Sequence, residues 1–167
     1  MRFCPALIVF VVALLCPAMA LADASSCKQQ DAVYSDEDQA FELAFRSPEQ
    51  ETALATNTFT LTVRQSKTEY KGWVIWNNGV ARPNGVLTLN CPGGDITGEE
   101  LDACKIWDGV VYSVFSDGQV DLLPPGDDPA AEGLLFPDLG RTLRYSATWD
   151  DNATVPWDVF KFVECRK

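Results

Sequence analysis

The sequence predicts a mainly β protein: a single antiparallel β-sandwich or small β-barrel with one or two short helices, stabilised by disulfides. Three observations point there. Apolar and polar residues alternate with period two in several short runs, the signature of half-buried strands. Asn-Gly and Asp-Gly pairs, which tolerate the positive φ angles of tight hairpins, separate those runs. Four cysteines, an even number, follow an apolar leader.

The leader has the three parts of a secretory signal: a basic start, an apolar core and a small-x-small end. Arg2 supplies the charge, Pro5 to Leu15 the core, and Ala20-Leu21-Ala22 the cleavage site. Ala18-Met19-Ala20 fits as well, two residues earlier. Residues 1–22 are therefore expected to be removed, leaving residues 23–167 as a single secreted or periplasmic β-rich domain. A transmembrane anchor needs about 20 apolar residues. Pro17 interrupts this run and no basic cluster follows it. Lipidation fits worse, because Leu15 is large before Cys16 and Cys27 lies beyond Asp23. The remainder carries no second apolar run of spanning length, so no membrane insertion is expected after cleavage.

Seven strands follow in order. Phe41, Leu43 and Phe45 alternate with Glu42, Ala44 and Arg46, and Phe59, Leu61 and Val63 with Thr60, Thr62 and Arg64. Tyr70 to Trp76 is the third run, Val86 to Asn90 the fourth, Val110 to Phe115 the fifth, Gln119 to Leu123 the sixth and Trp157 to Glu164 the last. Asn78-Gly79 follows the third, Asn84-Gly85 precedes the fourth, and Asp117-Gly118 joins the fifth to the sixth. Thr97-Gly98-Glu99-Glu100 is a capping box that opens a short helical turn. Leu135 to Tyr145 reads as a helix, with Pro137 and Asp138 in its first turn and Leu135, Leu139 and Leu143 on one face. The Pro-Gly-Asp segment from Pro124 to Pro129 is a loop, as is much of Ala147 to Pro156.

Cleavage after Ala22 leaves Cys27, Cys91, Cys104 and Cys165. Cys91 and Cys104 bracket a turn-rich segment and are expected to pair, which leaves Cys27 to join Cys165 and tie the chain ends together. A zinc site would need all four thiolates at unusual spacing, and no C-x-x-C is present for redox work. No metal or other cofactor is expected.

The chain contains no histidine, which removes Ser-His-Asp and Cys-His catalysis and histidine metal sites. Its net charge of −11 should repel nucleic acid and anionic membranes and attract a cationic partner. Paired carboxylates are the catalytic chemistry left, as in glycoside hydrolysis. With 24 acidic residues no pair is singled out. Glu99 and Glu100 read as helix-start residues. Asp127-Asp128 and Asp150-Asp151-Asn152 read as solvated loops without a calcium-loop frame. Asn152-Ala153-Thr154 matches a glycosylation acceptor.

Five tryptophans are many for one small core. Trp73 and Trp76 differ by three, so a strand points them to opposite faces. Trp149, between Thr148 and Asp150, is the first candidate for an exposed binding residue and Trp76 the second; Trp73, Trp107 and Trp157 are assigned to the core. The function this favours is a secreted or periplasmic binding protein for a protein partner or saccharide of the cell envelope, including inhibition of a cationic hydrolase. A carboxylate-based hydrolase and a carrier of small apolar ligands are the alternatives. Binding leads over enzymatic activity because it asks for no residue the chain lacks.

Overall fold

A computed structural model describes residues 23–48, 55–76, 82–94, 97–147, 149 and 154–166. Its strands are β1 (Ala32–Ser35), β2 (Phe41–Arg46), β3 (Ala55–Val63), β4 (Glu69–Trp76), β5 (Pro83–Thr88), β6 (Lys105–Val110), β7 (Tyr112–Val114), β8 (Val120–Leu122), β9 (Gly133–Leu135) and β10 (Val159–Cys165). They form one antiparallel sheet in the order β6-β5-β4-β3-β2-β1-β10-β9-β7-β8. Of the two architectures expected, the protein has the single sheet curled towards a barrel.

The curl has a simple origin. β6 stands at one end of the strand order and β7 next to the other, yet only Val111 separates them in the chain. Residues 105–114 are thus one run whose first half pairs with β5 and whose second half pairs with β9 and β8. At the junction, the Val111 N–H donates to the Pro83 carbonyl at 3.1 Å and its carbonyl accepts from the Leu123 N–H at 3.4 Å. Helix α2 (Leu139–Arg144) packs against β6.

Side chains fill the concave side. Tyr34, Phe41, Phe59, Phe136 and Phe160 are almost fully buried, along with a set of leucines. The Phe136 ring meets Phe59, Trp107 and Phe160 at centroid distances of 5.4–5.7 Å. Burying each such side chain contributes about 1.5–3 kcal/mol relative to leaving it in water. The phenol of Tyr34 lies 2.9 Å from Gln29 Oε1 and 3.0 Å from the Ala131 carbonyl. Burial pushes this phenol well above its ordinary range, so it stays a neutral donor.

Several elements differ from the sequence expectation for identifiable reasons. β1 is buried at all four positions, so it shows no alternation to read. Asn84-Gly85 is not a turn but lies within β5, opposite Ile75 and Val74 of β4. Gly85 is there because a Cβ would come within 2.8 Å of Val111 and 3.1 Å of the Trp107 ring. Asn78-Gly79 lies outside the described residues. At the β7–β8 turn only Gly118 has positive φ, at 85°. Its N–H donates to the Phe115 carbonyl at 2.9 Å, so the glycine closes the turn as a bulge and does not occupy its centre. Leu135 belongs to β9, and α2 begins only after Asp138. The α2 amides of Asp138 and Gly140 donate to the Asp158 carboxylate at 2.9 and 3.1 Å, a cap supplied from distant sequence. The capping box of α1 (Gly98–Cys104) forms as read. Glu100 N–H donates to Thr97 Oγ1 at 3.3 Å, and Thr97 N–H donates to Glu100 Oε2 at 2.8 Å.

Both expected disulfides are present, Cys27–Cys165 and Cys91–Cys104, with Cα separations of 5.7 and 5.2 Å. The first ties the segment before β1 to the end of β10; the second staples the connection from β5 to β6. In the loop-entropy view the second stabilises by about 3 kcal/mol and the first, closing nearly the whole chain, by about 5. Chemical denaturation should therefore rank Cys27→Ser/Cys165→Ser below Cys91→Ser/Cys104→Ser in stability, and the reverse order would contradict that account.

A second expectation concerns Gly72 in β4. A Cβ at this position would clash with the edge of the Phe59 ring. Gly72→Ala should cost about 1–3 kcal/mol through overpacking, whereas Gly98→Ala, where nothing lies within 4 Å, should be neutral or slightly stabilising. Denaturant midpoints for the two variants decide it.

Candidate functional site

Along β4, Tyr70, Gly72 and Val74 face inward and are buried, while Lys71, Trp73 and Ile75 face outward. Trp76 shares the inward parity but is the last residue of the strand. Its indole therefore emerges at the end of the curl and is 41% exposed. There it borders an open groove of about 610 Å³. Phe115, from the β7–β8 turn, and Leu122, from β8, contribute one side. The connection between β8 and β9 contributes the rest through Leu123, Pro124, Pro125 and the segment Pro129-Ala130-Ala131.

That connection is held across the end of the sheet. Asn57 Nδ2 of β3 donates to the Pro124 carbonyl at 3.2 Å, and the Gln30 N–H donates to the Gly126 carbonyl at 3.0 Å. The Gln29 N–H donates to the Asp128 carbonyl at 2.9 Å, and the Ala130 N–H donates to the Cys27 carbonyl at 2.8 Å. The groove wall is therefore tied to β3, to the turn before β1 and to the residue that carries the terminal disulfide.

The charged residues lining the groove are Asp23, Asp121 and Glu132, and all three are exposed. Each is oriented by a local amide. Glu132 Oε2 accepts from the Ser116 N–H at 2.6 Å, Asp121 Oδ1 from the Leu122 N–H at 2.7 Å, and Asp23 Oδ1 from the Ser25 N–H at 3.0 Å. Among the described residues none of the three makes an ion pair.

Of the other tryptophans, Trp107 lies in the core as expected and the rest are placed differently. Trp149 is half-buried and packs against the core; its N–H donates to the Ser146 carbonyl at 3.2 Å, folding the segment back after α2. Its ring nitrogen is buried with no hydrogen-bond partner among the described residues, and polar sequence neighbours misled the assignment to the surface. Trp157, expected in the core, precedes β10 and is 55% exposed, its Nε1 donating to Asp38 Oδ2 at 2.9 Å. Trp73, also assigned to the core, is half-buried on the outer face. Trp107 is buried, with Nε1 donating to the Pro137 carbonyl at 2.9 Å.

Of the acidic candidates, Glu100 serves the α1 cap, which holds its carboxyl below the usual range through the Thr97 amide and hydroxyl. Asp127 pairs with Lys28 at 2.9 Å. Asp150, Asp151 and Asn152, and with them most of the glycosylation motif, lie outside the described residues. Among the described residues, no cluster of three His, Cys, Asp or Glu side chains is placed to hold a metal ion.

One acid was missed from sequence because it sits beside the unrecognised β1. Asp36 is buried at the β1–β2 turn. Its Oδ1 accepts from the Phe41 N–H at 2.9 Å, while Oδ2 is buried without a partner among the described residues. It borders a small hollow of about 230 Å³ with Glu37, Gln39, Arg64 and Lys161. Burial raises its carboxyl above the ordinary range, against the backbone hydrogen bonds that lower it. The arrangement is that of a turn-capping carboxyl. No protein-family model, curated protein or solved structure matches the chain.

The Asp36 shift has a definite sign. Between the ordinary carboxylate range and the raised value, the folded state binds more protons than the unfolded state. Stability is then highest at the acid side of that window and is lost as pH rises through it. Asp36→Asn, which keeps an oxygen for the Phe41 amide, should flatten this part of the stability–pH curve. An unchanged curve would show that Asp36 titrates at an ordinary value.

Proposed function

We propose that the protein is a secreted or periplasmic binding module that holds a protein partner in the Trp76 groove. The observation that carries this reading is the exposed indole at the mouth of an apolar groove whose far wall is built from prolines and fixed by backbone hydrogen bonds. Large, rigid aromatic side chains beside a preformed hollow contribute contact area at little entropy cost, which is why tryptophan dominates binding hot spots. Two disulfides are compatible with an oxidising compartment outside the cytoplasm. Among the described residues no helix is long and apolar enough to cross a membrane.

The two alternatives receive less support. A carrier needs an empty apolar interior, and here aromatic rings in mutual contact occupy it. A carboxylate-based hydrolase needs one buried acid facing a second across a cleft. The three groove acids are exposed and each is engaged by a neighbouring amide.

Affinity capture from an envelope extract, followed by binding measurements with the purified partner, tests the reading. Trp76→Ala should weaken the complex by about 2 kcal/mol or more, the scale of a tryptophan hot spot. A partner held equally well by the wild type and by Trp76→Ala would show that the groove is not the binding surface.

A further inference from the structure

We infer that the groove selects its partner by positive charge: its occupant is a protein segment that lays an arginine or lysine side chain along Trp76, within reach of Asp23, Asp121 and Glu132. This rests on the reading of the groove as the binding site and specifies what it binds.

Charge complementarity carries the inference. The groove is lined by three carboxylates and, among the described residues, by no basic side chain. Elsewhere Glu42, Glu164, Asp102, Asp108 and Asp127 each sit beside a lysine or arginine at 2.8–3.4 Å. Among the described residues the groove acids have no such cation, although they come from three separate segments: the start of the described chain ahead of β1, β8, and the connection leading to β9. Their local amides hold them at the groove, so a cation meets negative groups that are already oriented. An uncharged apolar occupant would strip water from these carboxylates without replacing it, which is costly. An anionic polymer would be repelled.

The apolar part of the groove narrows the choice further. Lysine and arginine carry long methylene stems that pack on apolar surface while the charged head reaches polar groups. The stem matches the leucine and proline wall, and the head matches the acids. An exposed indole adds attraction to a cation placed over its face. Arginine suits the site best, because its planar, weakly hydrated guanidinium both stacks on aromatic rings and forks to carboxylates.

The test uses the mature chain and capped hexapeptides in which one arginine is flanked by leucine, proline or tyrosine, with binding read by calorimetry and tryptophan fluorescence. Matched peptides carry citrulline, a neutral isostere of arginine, and a neutral N-acetylglucosamine oligomer represents the saccharide alternative. Three variants accompany the wild type. Trp76→Ala probes the indole. Asp23→Asn/Asp121→Asn/Glu132→Gln removes the groove charge while keeping an oxygen for each local amide. Glu37→Gln/Glu69→Gln/Glu99→Gln makes the same change in net charge at exposed positions outside the groove.

The expected result is about tenfold or greater preference for arginine over citrulline, lost in the groove variant, kept in the remote variant and weakened by salt. Equal binding of arginine and citrulline peptides, or Trp76-dependent binding of the neutral oligomer alone, would overturn the charge inference and leave the groove as the binding site. Equal loss in the groove and remote variants would reduce the effect to net charge and overturn it too. Failure of every arginine peptide to bind also overturns it, and the capture experiment with Trp76→Ala then judges the binding-module reading independently. Binding that ignores Trp76→Ala would remove both.

Discussion

The indole of Trp107 is the contact on which the curl of the sheet depends. It lies against Gly85 of β5 and Gly109 of its own strand, where added Cβ atoms would come within 3.1 and 2.7 Å of the ring. It also meets the Phe136 ring at 5.4 Å and donates to the Pro137 carbonyl. One side chain thus touches the first strands of the sheet order and the connection that follows β9 near its other end. Interiors are close-packed and tolerate extra volume poorly. Residues 85 and 109 must therefore stay small for the 105–114 run to serve both ends of the sheet.

The groove follows from that closure. Because β7 continues from β6, the β7–β8 hairpin extends past the start of β5, whose Pro83 pairs with Val111. β8 and β9 both run antiparallel to β7. The chain leaving β8 must return across the end of the sheet before β9 can begin. Pro124 and Pro125 lie where that return starts, and proline has no N–H to continue a ladder. Hydrogen bonds to Asn57, Gln29, Gln30 and Cys27 then fix the crossing segment. A wall made this way is rigid for reasons of topology, and Trp76 stands opposite it only because β4 ends there.

What the sequence revealed and what it hid follow the same division. Strands with one wet face, such as β2 with its alternating burial, carry their pattern in the open. The capping box of α1 and the cysteine pairing were legible because they depend on short spacing or on elimination. β1 was not, since both of its faces are covered. β9 was hidden by an accident of spacing, in which Leu135 falls in phase with the leucines of α2. The tryptophans show the limit most plainly. Trp149 and Trp157 exchange their expected environments because exposure is set by where the chain folds back, and neither polar neighbours nor strand membership encodes that. Trp76 could be identified as one of two opposed residues, but the groove beside it draws on residues 23 to 132 and has no local signature.

The acidic excess is spread unevenly in its uses, and this gives the groove its character. At the opposite end of the sheet, carboxylates serve the backbone: Asp36 closes the β1–β2 turn, Glu100 caps α1 and Asp158 caps α2. These contacts compensate charge with amide dipoles or helix ends, so the negative charge there supports the fold. Elsewhere lysine and arginine pair with Glu42, Asp102, Asp108, Asp127 and Glu164. At the groove the amide contacts orient the carboxylates but, among the described residues, leave each without a counter-charge. Like charges gathered at one mouth repel one another, a cost that no cation among the described groove residues offsets. A bound cation would lower that cost and a neutral ligand would not, which is the electrostatic basis of the charge preference proposed for the groove.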